Sequence, residues 1–152
     1  MNTTVIGNNG ETTIPHRVLQ DVFTRLGQER TWSDVDQDTV LPEVVAATRG
    51  GCADVYVHDD AGNLMGAGIV VLQWDCHVGD MYTMLGMYVW PEYRNQKVGA
   101  ALLRTLRQFA QQDENVHWYA YAQQRRPGVF ETHYKRVRQL HGQRSSNSNQ
   151  AI

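Results

Sequence analysis

The sequence predicts an α/β fold: a central mixed sheet flanked by about four helices. Three observations carry this. Apolar residues recur at helical spacing in four stretches. Runs of β-branched and aromatic residues lie between them, bounded by turn-forming Asp, Asn and Gly. One strand–helix–strand succession, residues 82–122, requires a crossover and so a locally parallel strand pair. Helices must then cover the sheet faces around a layered core.

The elements follow in chain order. The first dozen residues are polar and rich in Thr, Asn and Gly, and read as a loose lead-in. Thr13 is a candidate N-cap with Pro15 in the first turn. Val18, Leu19, Val22, Phe23 and Leu26 then share one helical face, and Gly27 reads as the stop. A second helix spans Asp38 to Thr48, with Leu41, Val44 and Val45 inward and Pro42 in its first turn. Residues 53–58 and 64–74 form an antiparallel hairpin about the turn Asp59-Asp60-Ala61-Gly62-Asn63. Gly66 and Gly68 inside its second strand mark a bulge or a close backbone approach. Residues 82–90 form a third strand that Pro91 ends. From Val98 the period turns helical through Leu102, Leu103, Leu106, Phe109 and Ala110. Residues 116–122 form a strand, Arg125-Arg126-Pro127-Gly128 a loop, and Phe130, Tyr134, Val137 and His141 mark a last helix. Residues 1–142 are thus expected to form a single domain, and the polar stretch 143–152 a disordered tail.

Composition narrows the function. The chain has 152 residues, 41% hydrophobic and 20% charged, which suits one globular domain. A net charge of -2 argues against a dedicated nucleic-acid or anionic-membrane binder. Cys52 and Cys76 give no disulfide framework and no zinc-ligand spacing, so no metal is expected. No apolar run approaches the roughly 20 residues of a membrane helix. The opening residues lack a leader pattern, so a reducing cytoplasm is the expected location.

The informative segment runs from Val89 to Leu103. A strand ends, a short polar loop turns, and a helix begins at small residues. The first amides of a helix lack internal partners and carry the positive end of its dipole, so they suit a phosphate. Gly99 has no Cβ to hold such an anion off, and Arg94 and Lys97 add charge. On spacing alone this remains a generic anion site or an ordinary strand–helix joint.

The residues Gln96-x-x-Gly99-x-Ala101, preceded by Val89-x-Pro91-x-Tyr93-Arg94 and followed by Leu102-Leu103, resemble the acetyl-CoA motif of the GCN5-related N-acetyltransferase (GNAT) superfamily. The order of elements from about Ala53 to Val137 is similar as well. Lys97 departs from the pattern, since many members have Gly there. The resemblance implies a GNAT-like fold and acetyl-CoA as co-substrate. It implies that the backbone of Met87, Tyr88 and Val89 pairs with the pantetheine arm. It implies that the amides of Gln96, Lys97, Val98, Gly99, Ala100 and Ala101, with Asn95 in the same loop, hold the pyrophosphate. Arg94 would sit near the phosphates or the adenosine 3′-phosphate. The thioester would lie where the sheet splays between the strands of Met87 and Tyr119, with an oxyanion donor near Met87.

Acyl transfer also needs an acid for the departing thiolate and a route for the amine proton. The resemblance puts a tyrosine on the last helix, and Tyr134 fits that place; a core aromatic is the equal alternative. The usual base position falls on Thr83, which cannot serve. Asp80 and Glu92 lie at the two ends of that strand and can act through water, although a solvated carboxylate is the simpler reading of each. His117 and His133 read as surface or packing residues. The chain ends soon after Tyr134, so at least one C-terminal strand is expected to be missing. Such a sheet exposes an edge. These features predict an N-acetyltransferase acting on a primary amine of a small molecule or protein, with room for a homodimer. The competing reading is a degenerate binding protein of the same fold, reminiscent in its size and ending of small phage-encoded members, acting through a partner chain. Lys135, Arg136, Arg138, His141 and Arg144 read as a solvated face rather than a nucleic-acid patch.

Overall fold

A computed structural model of the chain describes residues 1–29, 37–126 and 128–138. Six strands form one sheet in the order β1-β2-β3-β4-β5-β6. The strands are β1 (Asn2–Gly7), β2 (Gly51–His58), β3 (Leu64–Asp75), β4 (Gly79–Val89), β5 (Trp118–Arg126) and β6 (Val129–Arg136). Three α-helices accompany them among the described residues: α1 (His16–Glu29), α2 (Gln37–Ala47) and α3 (Val98–Gln112). The expected α/β class and mixed sheet are therefore present, with three helices rather than four. Four of the five ladders are antiparallel, and β4–β5, joined through α3, is the parallel one.

The centre of the sheet is buried on both faces. On one, Val55, Val57, Met65, Val70 and Tyr82 meet Val98, Leu102, Leu106 and Ala110 of α3. On the other, Ala67, Ile69 and Leu85 meet Ile14, Leu19 and Leu41 beside and on α1 and α2. The hairpin turn matches its sequence: Asp59 Oδ1 accepts the amides of Ala61 at 2.9 Å and Asn63 at 2.8 Å. Gly62 supplies the left-handed φ of 87° that closes it.

Several expectations are corrected. The lead-in is strand β1, registered from Asn2↔His58 to Gly7↔Ala53. Its residues are all exposed, so no apolar alternation announces it. The β-branched run Thr3-Thr4-Val5-Ile6 and the free edge of β2 make the strand. Thr13 does not cap α1. Its hydroxyl donates to Asp54 Oδ2 at 2.8 Å, and Thr12 donates to Oδ1 at 2.9 Å. A buried carboxylate on β2 thus pins the segment that leads into α1. The helix starts at His16, one residue after Pro15, whose carbonyl accepts the Val18 and Leu19 amides. It passes Gly27 and reaches Glu29. In α2, Leu41 is buried but Val45 is 38% exposed, and Pro42 lies beyond the first turn.

The largest correction is at the C-terminal end. The expected last helix is strand β6, folded back on β5 about Gly128, whose φ is 77°. Phe130, Tyr134 and Val137 suit a helical period. Val129, Phe130, Thr132 and Tyr134 equally suit a strand, and the turn directly after β5 decides for pairing. The sheet thereby gains a strand directly after β5, where a helix was expected, and no further strand follows it among the described residues. His141, Arg144 and the tail 143–152 lie outside the described residues.

Candidate functional site

The site begins with an irregularity in β4. Against β3 the register runs Ala67↔Tyr88 and then Ile69↔Leu85. Gly68 thus faces two residues, Gly86 and Met87, and β4 bulges there. Gly86 takes the left-handed φ of 62° that the bulge requires. The glycines of β3 make room on both sides. A Cβ on Gly68 would lie 2.5 Å from Met84 Sδ, and one on Gly66 would lie 2.6 Å from Val98 Cγ1.

The same strand loses its other neighbour. β4 pairs with β5 through Met81↔Trp118, Tyr82↔Tyr119 and Thr83↔Ala120, where the registered pairing ends. Beyond it the two parallel strands part, and β4 turns an unpaired backbone edge toward the gap from Met84 onward. A cavity of about 250 Å³ opens there, lined by Met84, Leu85, Gly86 and Met87 of β4 and by Tyr121 and Ala122 of β5. Phe23 and Leu26 of α1, Val44 of α2 and Phe130 of β6 complete it. Tyr121 is the one ionisable side chain among the described residues of that lining. It stacks on His133 of β6, ring centroids 4.9 Å apart and planes at 21°.

The gap leads toward the start of α3. The turn Pro91–Tyr93 closes through Tyr93 N donating to Trp90 O at 2.9 Å and Gln96 N donating to Tyr93 O at 3.0 Å. Lys97 then caps the helix in the left-handed region, φ 63° and ψ 16°. The first helical rung is Ala101 N to Lys97 O at 3.0 Å. The amides of Val98, Gly99 and Ala100 therefore have no carbonyl behind them in the helix. Val98 is fully buried, while Gly99 leaves open space, its nearest obstacle being Val89 Cγ2 at 4.0 Å from a built Cβ. Asn95, Gln96 and Lys97 are exposed on the same loop.

Other expected site residues are held elsewhere. Arg94 donates from Nη2 to both oxygens of Glu29 at 2.8 Å and from Nε to Val89 O at 3.1 Å. It lies 5.5 Å from the centroid of Tyr88, whose hydroxyl also donates to Glu29, at 2.8 Å. Arg94 thus ties the loop to the last turn of α1. Burial opposes ionisation of Glu29, but the hydrogen bonds from Arg94 and Tyr88 and the Arg94 charge outweigh it and hold its pKa below the usual value. Burial and the Glu29 carboxylate push Tyr88 up to about 12. Its phenol faces α1, so only its backbone is left for the gap.

Asp80 is exposed and opposes Trp74, six residues before Gly86. At the strand rise that is about 20 Å from the bulge. Glu92 is exposed in the turn after β4 and does not line the cavity. Thr83 sits at the last β4–β5 pair. Tyr134 stands on β6, not on a helix, and its hydroxyl donates to Asp75 Oδ2 at 2.9 Å. Asp75 opposes Gly79, at the end of β4 far from the bulge. The structure thus brings Met87, Val89 and residues 95–101 along one path and leaves Tyr134, Asp80 and Glu92 off it. Sequence reasoning missed Phe23, Leu26, Tyr121 and Phe130, because apolar residues at helical or strand period read as core.

A second hollow of about 320 Å³ lies between α1 and α2, lined by His16, Gln20, Phe23, Thr24, Asp38, Leu41 and Pro42. It shares Phe23 with the first.

Comparison with known proteins follows the same geometry. The profile of the acetyltransferase (GNAT) domain matches residues 51–136, more than half of the chain. No curated protein matches it in sequence. Among solved structures, an acetyltransferase of the GNAT family from Staphylococcus aureus Mu50 superposes with a TM-score of 0.55 at 17% identity, over 80% of this chain and 73% of that one. A Clostridium acetobutylicum protein described as a predicted acetyltransferase, solved with acetyl-CoA, gives 0.58 at 14% identity over 82% and 81%. Ribosomal-protein-alanine N-acetyltransferase from Brucella melitensis biovar Abortus 2308 gives 0.52 at 16% over 84% and 83%. At such identities the likeness is one of fold.

Proposed function

Because the chain belongs to the GNAT acetyltransferase family, we propose that it transfers the acetyl group of acetyl-CoA to a primary amine of a small molecule or protein. The observation that carries this reading is the unpaired edge of β4, which runs from the bulge at Gly86 and Met87 to the free amides of α3. An extended pantetheine arm can add to that edge as a strand would. The pyrophosphate would rest on the amides of Val98, Gly99 and Ala100, beside Lys97, with Asn95 and Gln96 at the rim. The thioester then falls in the cavity, and the amine approaches from α1 and α2.

The chemistry is written for the residues at hand. A neutral amine forms the C–N bond at the thioester carbonyl, and backbone N–H at the Met87 bulge stabilises the oxyanion. The C–S bond breaks, and the sulfur takes a proton from the Tyr121 hydroxyl. Phenols keep that proton at neutral pH; thiols are the stronger acids, so the transfer runs uphill by about 1.5 pKa units and is drawn forward by the proton that the amine gives up. The surplus amine proton leaves through water, which also restores Tyr121. This assignment replaces Tyr134, whose phenol is bonded to Asp75.

The second reading, a binding protein without turnover, is favoured by one observation: the described cavity lining holds no carboxylate and no imidazole. Calorimetry with acetyl-CoA tests the shared premise. Gly99→Glu should abolish binding, because its carboxylate would occupy the open space over the helix start. Equal affinity in wild type and variant would remove the pyrophosphate from α3. Product detection against a panel of amines then separates enzyme from binder.

A further inference from the structure

The turn between β3 and β4 carries three consecutive donors that the acyl-transfer reading does not use: Asp75, Cys76 and His77. Among the described residues, their ligand atoms converge within 4.8 Å of one another. Cys76 Sγ lies 3.4 Å from His77 Nδ1, and that nitrogen lies 3.1 Å from Asp75 Oδ1. Zinc bonds of about 2.3 Å to sulfur and about 2.0–2.2 Å to nitrogen and oxygen give tetrahedral edges of about 3.6 Å for S···N and about 3.4 Å for N···O. Both spacings are within about 0.3 Å of those edges. The third pair, Cys76 Sγ and the Asp75 carboxylate, lies within 4.8 Å against a tetrahedral edge of about 3.6 Å, so an ion enters by displacing the polar hydrogens and drawing the exposed Cys76 and His77 side chains inward.

The carboxylate is also braced from another element. Its second oxygen, Oδ2, accepts the hydroxyl of Tyr134 on β6 at 2.9 Å, across 59 residues of sequence. The backbone N–H of His77 donates to Oδ1 at 2.8 Å. Such outer bonds orient metal-binding carboxylates. Cys76 and His77 are exposed, so the face opposite the three donors is open to water as a fourth ligand. Asp75 pairs with Gly79, which puts this cluster at the end of β4 away from the cavity.

We infer that Asp75, Cys76 and His77, braced by Tyr134, form a binding site for a borderline divalent transition-metal ion of the zinc class, separate from the acyl-transfer cavity. A sulfur, a nitrogen and an oxygen donor select such an ion over magnesium or calcium, which take oxygen sets. Binding releases the thiol proton, so the bound set is thiolate, neutral imidazole and carboxylate.

Cobalt(II) is the probe, because a cobalt–thiolate bond adds a charge-transfer absorption in the near ultraviolet. Titration of the full chain should give that band at one equivalent, and zinc(II) should bleach it. Cys76→Ser should abolish it and Cys52→Ser should leave it unchanged. Asp75→Asn and His77→Ala should each weaken cobalt binding at least tenfold. Tyr134→Phe should weaken it by roughly tenfold, as loss of an outer-shell partner does. No band in wild type overturns the site. So does a band with equal affinity in Asp75→Asn and His77→Ala, since that marks a thiolate acting alone. Neither outcome depends on acetyl-CoA binding or turnover.

Discussion

Gly66→Ala tests whether the close approach of β3 to α3 shapes the phosphate end of the site. The added Cβ would stand 2.6 Å from Val98 Cγ1 and 3.0 Å from the Tyr88 carbonyl oxygen. Ordinary carbon contacts lie at about 3.5–4.0 Å, so the overlap with Val98 is about 1 Å. Val98 is fully buried and stiff at χ1, and it cannot swing aside. Overpacking of this kind costs about 1–3 kcal/mol, and here the upper half of that range applies. Replacing glycine restores about 0.4–1 kcal/mol through the unfolded chain. The net loss is then about 1–2.5 kcal/mol, or a Tm lower by roughly 2–10 °C in a chain of this size. Because Val98 begins α3, the same push should weaken acetyl-CoA binding. The decisive assay is a double-mutant cycle by denaturant unfolding. Val98→Ala alone removes two buried carbons and should cost about 2 kcal/mol. With Gly66→Ala it should cost at least about 1 kcal/mol less than the sum of the two. Additivity within about 0.5 kcal/mol would refute the clash.

Lys97→Gly should raise the Tm by about 1–2 °C, since leaving the left-handed region saves about 1–2 kcal/mol against about 0.5–1 kcal/mol of glycine entropy; the lost charge should weaken acetyl-CoA binding roughly threefold, and calorimetry reads both directions against each other. Tyr121→Phe should lower kcat by roughly 10²-fold or more with acetyl-CoA affinity unchanged, and an unchanged kcat would remove Tyr121 as the acid. Glu29 has a folded pKa below its ordinary value of 4.5, so its contribution is fully present above that pH and is lost as pH falls through the lower folded value. Wild type should therefore exceed Glu29→Gln in Tm at pH 6 and converge with it below about pH 4.5; a constant gap would mean that the Arg94 contact is not ionic.

The parts of this molecule that were legible are those written in backbone chemistry. Asp59 and Gly62 announce the hairpin turn, and Gly66 and Gly68 announce a crowded strand. The stretch from Pro91 to Ala101 announces a helix start, and the first rung of α3 is indeed Ala101 N to Lys97 O. β1 was hidden because both its faces meet solvent, so its side chains carry no periodic signal. β6 was misread because its aromatic spacing fits two periods, and the choice rests on a turn at Gly128. The cavity itself was not legible. Its place depends on where the β4–β5 ladder stops, and Tyr121 looks like any strand aromatic until the strands are seen to part. The Asp75 cluster escaped because spacing between cysteines was weighed, while its donors are adjacent in sequence and converge by turn geometry.

The short ladder between β4 and β5 also bears on how the chain folds. Strands β1 to β4 form a run of antiparallel neighbours, and β2 to β4 are joined by short local turns. β5 and β6 form a separate hairpin, registered to the rest through three residue pairs and further tied by packing on α3 and by the Tyr134–Asp75 hydrogen bond. Loop closure across the α3 crossover must come before those pairs can form, so the hairpin is expected to dock late and, in native-state amide exchange, to open as a unit at lower free energy than β2 to β4. A co-substrate lying along β4 and touching Tyr121 of β5 would bridge that seam. Occupancy would then slow the opening of β5 and β6 more than that of any other part of the sheet.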